Sequence, residues 1–409
     1  MGSIIRRERP RDGARNWGRV DMASEWPLVS LGDVINLKRG YDLAARDRES
    51  GCVPIISSSG PTGTHSKAMV DAPGVVTGRY GTIGLVYYVE EPFWPLNTTL
   101  YVQDFKGNDP RFVYYLLKTI SYRDYLDKAA VPGINRNDVH RAMVCLPPIH
   151  EQESIAATIH CLDIGIESHR AENETVEEIA RAIFKSWFVD FDPVRAKAEG
   201  REPEGMDAVT AALFSSGFEE SIFGPVPAGW NMGRLDDLLV LQRGFDLPNV
   251  ERVPGPFPVI AASGPSGTHR EYQVKGPGVV TGRSGVLGNV YWVDDDFWPL
   301  NTSLWIKEYK RATPAYALQH LRTLDLSSFN AGSAVPTLNR NHIHGLPTVV
   351  PPATLVQAFD EVATPLFESI RKNQKQAATL TDLRDTLLPR LISGKLRVPE
   401  AEKLVEAVL

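Results

Sequence analysis

The chain repeats one loop-rich segment. PGVVTGRYGTIG begins at Pro73 and PGVVTGRSGVLG at Pro277, 204 positions apart in a chain of 409 residues. The same offset lays Trp26 on Trp230, RGYDL at Arg39 on RGFDL at Arg243, and SGPTGTH at Ser59 on SGPSGTH at Ser263. It also lays FWPLNTTL at Phe93 on FWPLNTSL at Phe297, and NRNDVH at Asn135 on NRNHIH at Asn339. Two copies that hold register through so many loops must share one fold, so a tandem duplication with approximate internal two-fold character is predicted.

Within each copy the period of the pattern changes once. The segments GVVTG, GLVYYVE and TTLYVQDF, with their counterparts GVVTG, GNVYWVD and TSLWIKEY, are rich in β-branched and aromatic residues. Gly, Pro and Asn bound them, so they read as short strands, with a short helix over 112–119. After the Pro pair, Ile155, Ile159, Leu162 and Ile166, then Val176, Ile179, Ile183 and Trp187, follow three-and-four spacing. The second copy answers with Phe359, Val362, Leu366, Ile370, Leu380, Leu383, Leu387 and Leu391. A helix of about 40 residues is about 60 Å long and needs a partner for its apolar stripe. The other copy is the simplest partner, and folding back on its own domain is the alternative.

The predicted fold class is therefore α+β. Two mixed, strand-rich domains (25–148 and 230–352) are each followed by a long helix (149–192 and 353–398), the helices pairing as an antiparallel coiled coil. Residues 193–229 read as a linker, 399–409 as a tail and 1–24 as a disordered extension.

Charge follows the same division. Residues 149–200 carry eleven acidic side chains against five basic, a net charge equal to the −6 of the whole chain. The strand-rich domains are nearly neutral, with thirteen of each sign over 25–148 and eleven basic against ten acidic over 234–352. Such domains lack the basic excess that gives strong sequence-independent affinity for DNA, so phosphate contacts are expected to come partly from partners. Cys52, Cys145 and Cys161 have neither disulfide-framework nor zinc-ligand spacing. No apolar run is long enough to span a bilayer and no signal core opens the chain, so a cytoplasmic location is expected.

The order of these elements resembles the specificity subunit of type I restriction-modification systems. WPLVSLGDV leads to RG, and VPGINRNDV and LPPIHEQESIAATIHCLD open the first long helix. The spacer ARAIFKSWFVDFDPVRAKAEGREPEGMD from Ala180, then GW, a second domain and the terminal LLPRLISGKLRV complete the likeness, which covers Trp26 to Val398. The resemblance implies two target recognition domains reading the halves of a split site in double-stranded DNA. It implies helices that fix their separation and dock two methyltransferase (modification) subunits, with restriction/translocase subunits joining the core. S-adenosylmethionine, ATP and Mg are then expected in the partner subunits, and no cofactor, metal, membrane contact or catalytic residue in this chain. The Arg-rich stretch 1–23 departs from that pattern, and Met22 lies nearer the usual start.

Candidate DNA-binding residues fall on the repeated loops. Arg79 and Arg283 follow a glycine, so the backbone can come close to DNA while the guanidinium reaches guanine or phosphate. Tyr80 against Ser284 is where base preference is expected to differ. Arg39 and Arg243, Thr64 and Thr268, His65 and His269, Lys67 and Arg270, and Arg136 and Arg340 complete the set. The competing readings are a buried Arg paired with a carboxylate at 79 and 283, structural histidines at 65 and 269, and an attachment of the NRN segments to the helical neck.

A metal-dependent nuclease is the rival function. Glu91 with Asp104 and Lys106, and Asp295 with Glu308 and Lys310, repeat an acid-x-Lys pattern that could hold Mg²⁺ between two carboxylates. The chain has no NPPY-type methyltransferase motif and no P-loop. A scaffold that binds no nucleic acid is the third possibility.

Overall fold

The computed structural model describes residues 26–126, 133–330 and 336–408. The extension expected over 1–24 lies outside them. The chain forms two compact units, one running through Ile166 and resuming at Ala378, the other spanning Glu167–Ala377.

In the first unit GVVTG is buried at all five positions and forms the inner strand Gly74–Gly78. Its valines and threonine suit a pleated surface covered on both faces. It belongs to a four-stranded antiparallel sheet in the order Asn36–Arg39, Thr99–Asp104, Gly74–Gly78, Val86–Val89. The hairpin Val53–Ser57 and Gly60–His65 joins the parallel strand Trp94–Pro95 in a three-stranded sheet. Helix Pro110–Lys118 begins where the Asp109 carboxylate accepts the Phe112 N–H at 2.6 Å, with Pro110 in the first turn. Its Phe112, Val113 and Leu116 share one core with Leu37, Val75 and Leu100 of the sheet.

The second unit repeats this order strand for strand. Its sheets run Leu239–Arg243, Ser303–Tyr309, Gly278–Gly282, Val290–Val293 and Gly264–His269, Phe257–Ala261, Trp298–Pro299. Register is conserved as well, since Val76 pairs with Tyr101 and Val280 with Trp305. Each domain is closed by its two ends, Leu28–Ser30 pairing with Met143–Cys145 and Asn231–Arg234 with Pro347–Val350.

Both long helices are unbroken over 40 residues, Ile149–Phe188 and Ala353–Ile392. They pair antiparallel. In the first unit Asp163 meets Arg384 at 2.9 Å, and in the second Phe184 lies against Phe359 with ring centroids 5.5 Å apart. Ile155, Ile159, Leu162 and Ile166 are buried, as are Leu380, Leu387 and Leu391. The seam departs from the expected one at two places, because Ile179 is 45% exposed and Val362 39% exposed. Ala180 and Phe184, and Ala363 and Phe367, take the interior instead. A straight helix drifts relative to a seven-residue repeat, and the aromatic rings decide which positions turn inward.

The helices end at Phe188 and Ile392 rather than at 192 and 398. Segment 193–229 is folded. Helices Asp192–Ala198 and Ala208–Ala212 and the hairpin Phe218–Ser221 with Gly224–Pro227 occupy it. Its Val194 and Phe214 join the second core beside Trp187 and Trp230, and burial of these few apolar residues is what orders the segment. The tail likewise forms helix Val398–Glu406, with Val398, Ala401 and Val405 buried in the first core. Among the described residues no helix is long and apolar enough to cross a membrane.

Candidate nucleic-acid interface

Three of the repeated motifs meet at one end of each strand-rich domain. In the first unit RGYDL leaves the strand Asn36–Arg39 and passes so close to the turn Leu96–Thr99 that a Cβ on Gly40 would lie 2.2 Å from the Leu96 carbonyl oxygen. Only glycine fits there. The Gly40 N–H donates to Thr99 O at 3.1 Å and the Tyr41 N–H to Pro95 O at 2.8 Å. The Thr98 carbonyl then accepts the N–H groups of Arg79 (2.8 Å) and Tyr80 (3.2 Å), which hangs TGRYG on the same turn. The Arg79 carbonyl in turn accepts the Ile134 N–H at 3.1 Å, leading into NRN, where Asn135 caps a short helix by accepting the Asn137 N–H at 3.0 Å.

The second unit builds the same ladder. Thr302 O accepts from Arg283 (2.8 Å) and Ser284 (3.0 Å), Arg283 O accepts from Leu338 (2.8 Å), and Asn339 accepts the Asn341 N–H at 3.0 Å. Arg39, Arg79, Tyr80 and Arg136, and Arg243, Arg283, Ser284 and Arg340, are therefore strung on continuous backbone hydrogen bonds within their own units.

The arginines differ in what they touch. Arg79 lies over the Tyr80 ring, 4.5 Å from its centroid, whereas Arg283 donates to the Asn301 carbonyl at 3.2 Å. Both are half-buried, and neither has a carboxylate partner among the described residues. Arg39 and Arg243 pair with Asp42 (3.1 Å) and Asp246 (3.2 Å). Arg136 and Arg340 are exposed at the starts of their short helices.

The GTH residues separate. Thr64, Lys67, Thr268 and Arg270 are exposed, and Arg270 pairs with the adjacent Glu271 at 3.2 Å. His65 and His269 are only 6% and 5% exposed. Their Nδ1 atoms accept the N–H groups of Glu49 (3.0 Å) and Val253 (3.1 Å), and their rings stand edge-on to Trp94 and Trp298. These contacts are those of the structural histidines of the competing reading, each ring holding the loop that precedes it.

Two further pairs were missed in the sequence. His140 and His344 close the NRNDVH and NRNHIH segments, and each Nε2 accepts a backbone N–H, from Leu37 and Leu241, at 2.9 Å. Burial pushes both rings below the ordinary histidine range, in keeping with the neutral acceptor form. Asp42 with Asn97, and Asp246 with Asn301, are hydrogen-bonded pairs across 55 residues of chain. The signal for both was identity at the constant offset.

The nuclease pattern does not assemble. Asp104 accepts the Lys106 N–H at 2.8 Å, and the Lys106 ammonium donates to the Gly32 carbonyl. In the second unit Asp295 pairs with Arg371. Among the described residues no three His, Cys, Asp or Glu side chains are grouped to hold a metal ion.

Residues 23–178 match the type I restriction modification DNA specificity domain. The specificity subunit of type I restriction enzyme MjaIX from Methanocaldococcus jannaschii is 26% identical over 329 residues, covering 71% of this chain and 69% of that protein. The chain is similar to the type I restriction-modification specificity subunits. The HindI specificity subunit of Haemophilus influenzae is also 26% identical, over 362 residues, covering 70% of this chain and 77% of that protein. The crystal structure of a type I restriction-modification S subunit from M. genitalium has the same fold, with a TM-score of 0.58 at 17% identity, covering 91% of this chain and 98% of that one.

Proposed function

We propose that this chain is the DNA-reading subunit of a type I restriction-modification complex. Each unit reads one half of a bipartite site, and the paired helices dock two methyltransferase subunits, with restriction subunits joining that core. The subunit itself carries out no chemistry. S-adenosylmethionine, ATP and Mg belong to its partners. The single observation that carries the reading is the duplicated loop ladder, which presents Arg79, Tyr80 and Arg136 from one unit and Arg283, Ser284 and Arg340 from the other on the same backbone frame. Two copies of one reader suit a target written in two parts.

The nearly neutral domains explain why partners are needed, since phosphate contacts supply much of the affinity for DNA. The chain alone is therefore expected to bind DNA weakly, and co-expression with its methyltransferase to yield a two-to-one complex that binds one split sequence tightly. Light scattering of the co-purified subunits reads the stoichiometry. Absence of any complex between cognate subunits contradicts the proposal.

A further inference from the structure

An exposed acid is out of place on a surface meant to meet phosphates, yet this chain keeps one there twice. The carboxylates of Asp42 and Asp246 are 72% and 68% exposed, each within the RG segment that opens the candidate interface. Like charges repel, so an uncompensated acid at that position weakens DNA binding. Neither is uncompensated. Oδ1 of Asp42 accepts from the Arg39 guanidinium at 3.1 Å and from the Asn97 side-chain amide, and Oδ1 of Asp246 accepts from Arg243 at 3.2 Å and from the Asn301 amide.

The position of those amides gives the acids a purpose. Asn97 immediately precedes Thr98, whose carbonyl holds the N–H groups of both Arg79 and Tyr80. Asn301 immediately precedes Thr302, which does the same for Arg283 and Ser284, and the Asn301 carbonyl also accepts the Arg283 guanidinium. Fixing the asparagine side chain fixes the turn on which the reading loop hangs.

We infer that Asp42 with Asn97, and Asp246 with Asn301, are clamps that position the Arg79–Tyr80 and Arg283–Ser284 loops for base reading, each serving only the half-site of its own unit. These are positioning residues, acting through the turn. The inference rests on the DNA-reading function proposed above. A free loop pays its ordering entropy on binding, and a clamped loop has paid it beforehand.

The test uses the full chain assembled with its methyltransferase, carrying Asp42→Ala, Asn97→Ala or Asp42→Asn, with Asp246→Ala as the second-unit counterpart. Two quantities are measured. Amide hydrogen exchange over 78–82 and 282–286 without DNA reads the clamp itself. Binding to duplexes substituted one base pair at a time, in one half-site or the other, reads its consequence.

A lost hydrogen bond to a charged group corresponds to about tenfold in an equilibrium. Asp42→Ala and Asn97→Ala are expected to speed exchange at Arg79 and Tyr80 about tenfold and leave 282–286 unchanged. They flatten discrimination at every position of one half-site and spare the other. Asp246→Ala does the converse. Asp42→Asn keeps the accepting oxygen and recovers most of both effects.

Unchanged exchange at Arg79 and Tyr80 overturns the clamp. So does a change of preference at a single base pair, because that marks Asp42 as a base reader. A wild-type complex that binds no split duplex contradicts the DNA-reading function instead, and the exchange measurement then decides the clamp by itself.

Discussion

Arg79 rests on an aromatic ring while Arg283, with a serine beside it, turns to a backbone carbonyl. The frame that holds the two arginines is shared, so the neighbour at 80 or 284 decides where each guanidinium points. Exchanging the pair, Tyr80→Ser with Ser284→Tyr, is expected to change base preference at a corresponding position in each half-site. Selection from a randomised duplex pool by the assembled complex checks this, and two unchanged half-site words exclude a reading role for 80 and 284. A second residue gives a pH prediction. His320 is half-buried, stacked on Tyr316 with 5.6 Å between centroids and 3.2 Å from the Thr348 hydroxyl, and burial pushes its pKa down to about 4. The unfolded chain binds this proton near pH 6.5 and the folded chain only near 4. The contribution of the neutral ring is thus complete above about pH 6.5 and falls away between there and pH 4, by roughly 3 kcal/mol in all. The first unit has Leu116 at the equivalent place. Urea unfolding of His320→Leu is therefore expected to show a shallower loss of stability between pH 6.5 and 4 than the parent chain, and equal slopes contradict the assignment. The sequence offers a structural role for His65 and His269 as an alternative to DNA contact, but not the partners that give it. GTH reads as a polar turn, and only the fold brings Trp94 and Trp298 against the rings of His65 and His269.

At the scale of elements the two necks are built differently on one plan. In the first unit the Tyr115 hydroxyl donates to Asp163 at 2.6 Å, and Asp163 also holds Arg384 at 2.9 Å, with both charged side chains about one-fifth exposed. In the second unit the counterparts of Tyr115, Asp163 and Arg384 are Gln319, Phe367 and Ala180, and the neck is packed by rings, with Phe184, Phe188, Tyr316 and Phe359 at 5.0 to 5.6 Å. Phe184→Ala leaves a cavity among those rings and is expected to cost about 3 to 5 kcal/mol in denaturant unfolding. Asp163→Ala leaves the buried Tyr115 hydroxyl without its acceptor and Arg384 with Asp385 alone, and is expected to cost about 1 to 3 kcal/mol. A loss below about 0.5 kcal/mol for either variant contradicts this account of its neck. The helices themselves were legible, since apolar residues at three-and-four spacing need a covered face. What the pattern could not settle was which residue turns inward where aromatic side chains compete, and so Ile179 and Val362 were assigned to the seam while Ala180 and Ala363 occupy it. The spacer was legible only as a boundary, because Val194 and Phe214 are too sparse to show a period and gain their partners from elsewhere in the second unit.

At the scale of the whole molecule the constant offset of 204 carried most of what could be known beforehand. It showed the duplication, the paired loops and the equivalence of the two helices, but not the Asp42 to Asn97 clamp, whose halves lie 55 residues apart and meet only in the folded domain. If the paired helices set the separation of the half-sites, removing one turn from both, about 5.4 Å in each, changes the permitted number of intervening bases and leaves the half-site words alone. Unaltered spacing in that variant shows that the helices are not the ruler. The central claim, that each unit reads one half of a split site, is tested most directly by sequencing the methylated genome of a host with the intact gene, without it, and with Arg283 and Ser284 replaced by alanine. The account predicts a bipartite methylated sequence whose halves, read on opposite strands, share part of their bases. That methylation disappears without the gene, and relaxes in one half only when the second unit's loop is altered. Methylation that persists without the gene, or a single unbroken sequence altered throughout by the loop variant, contradicts it.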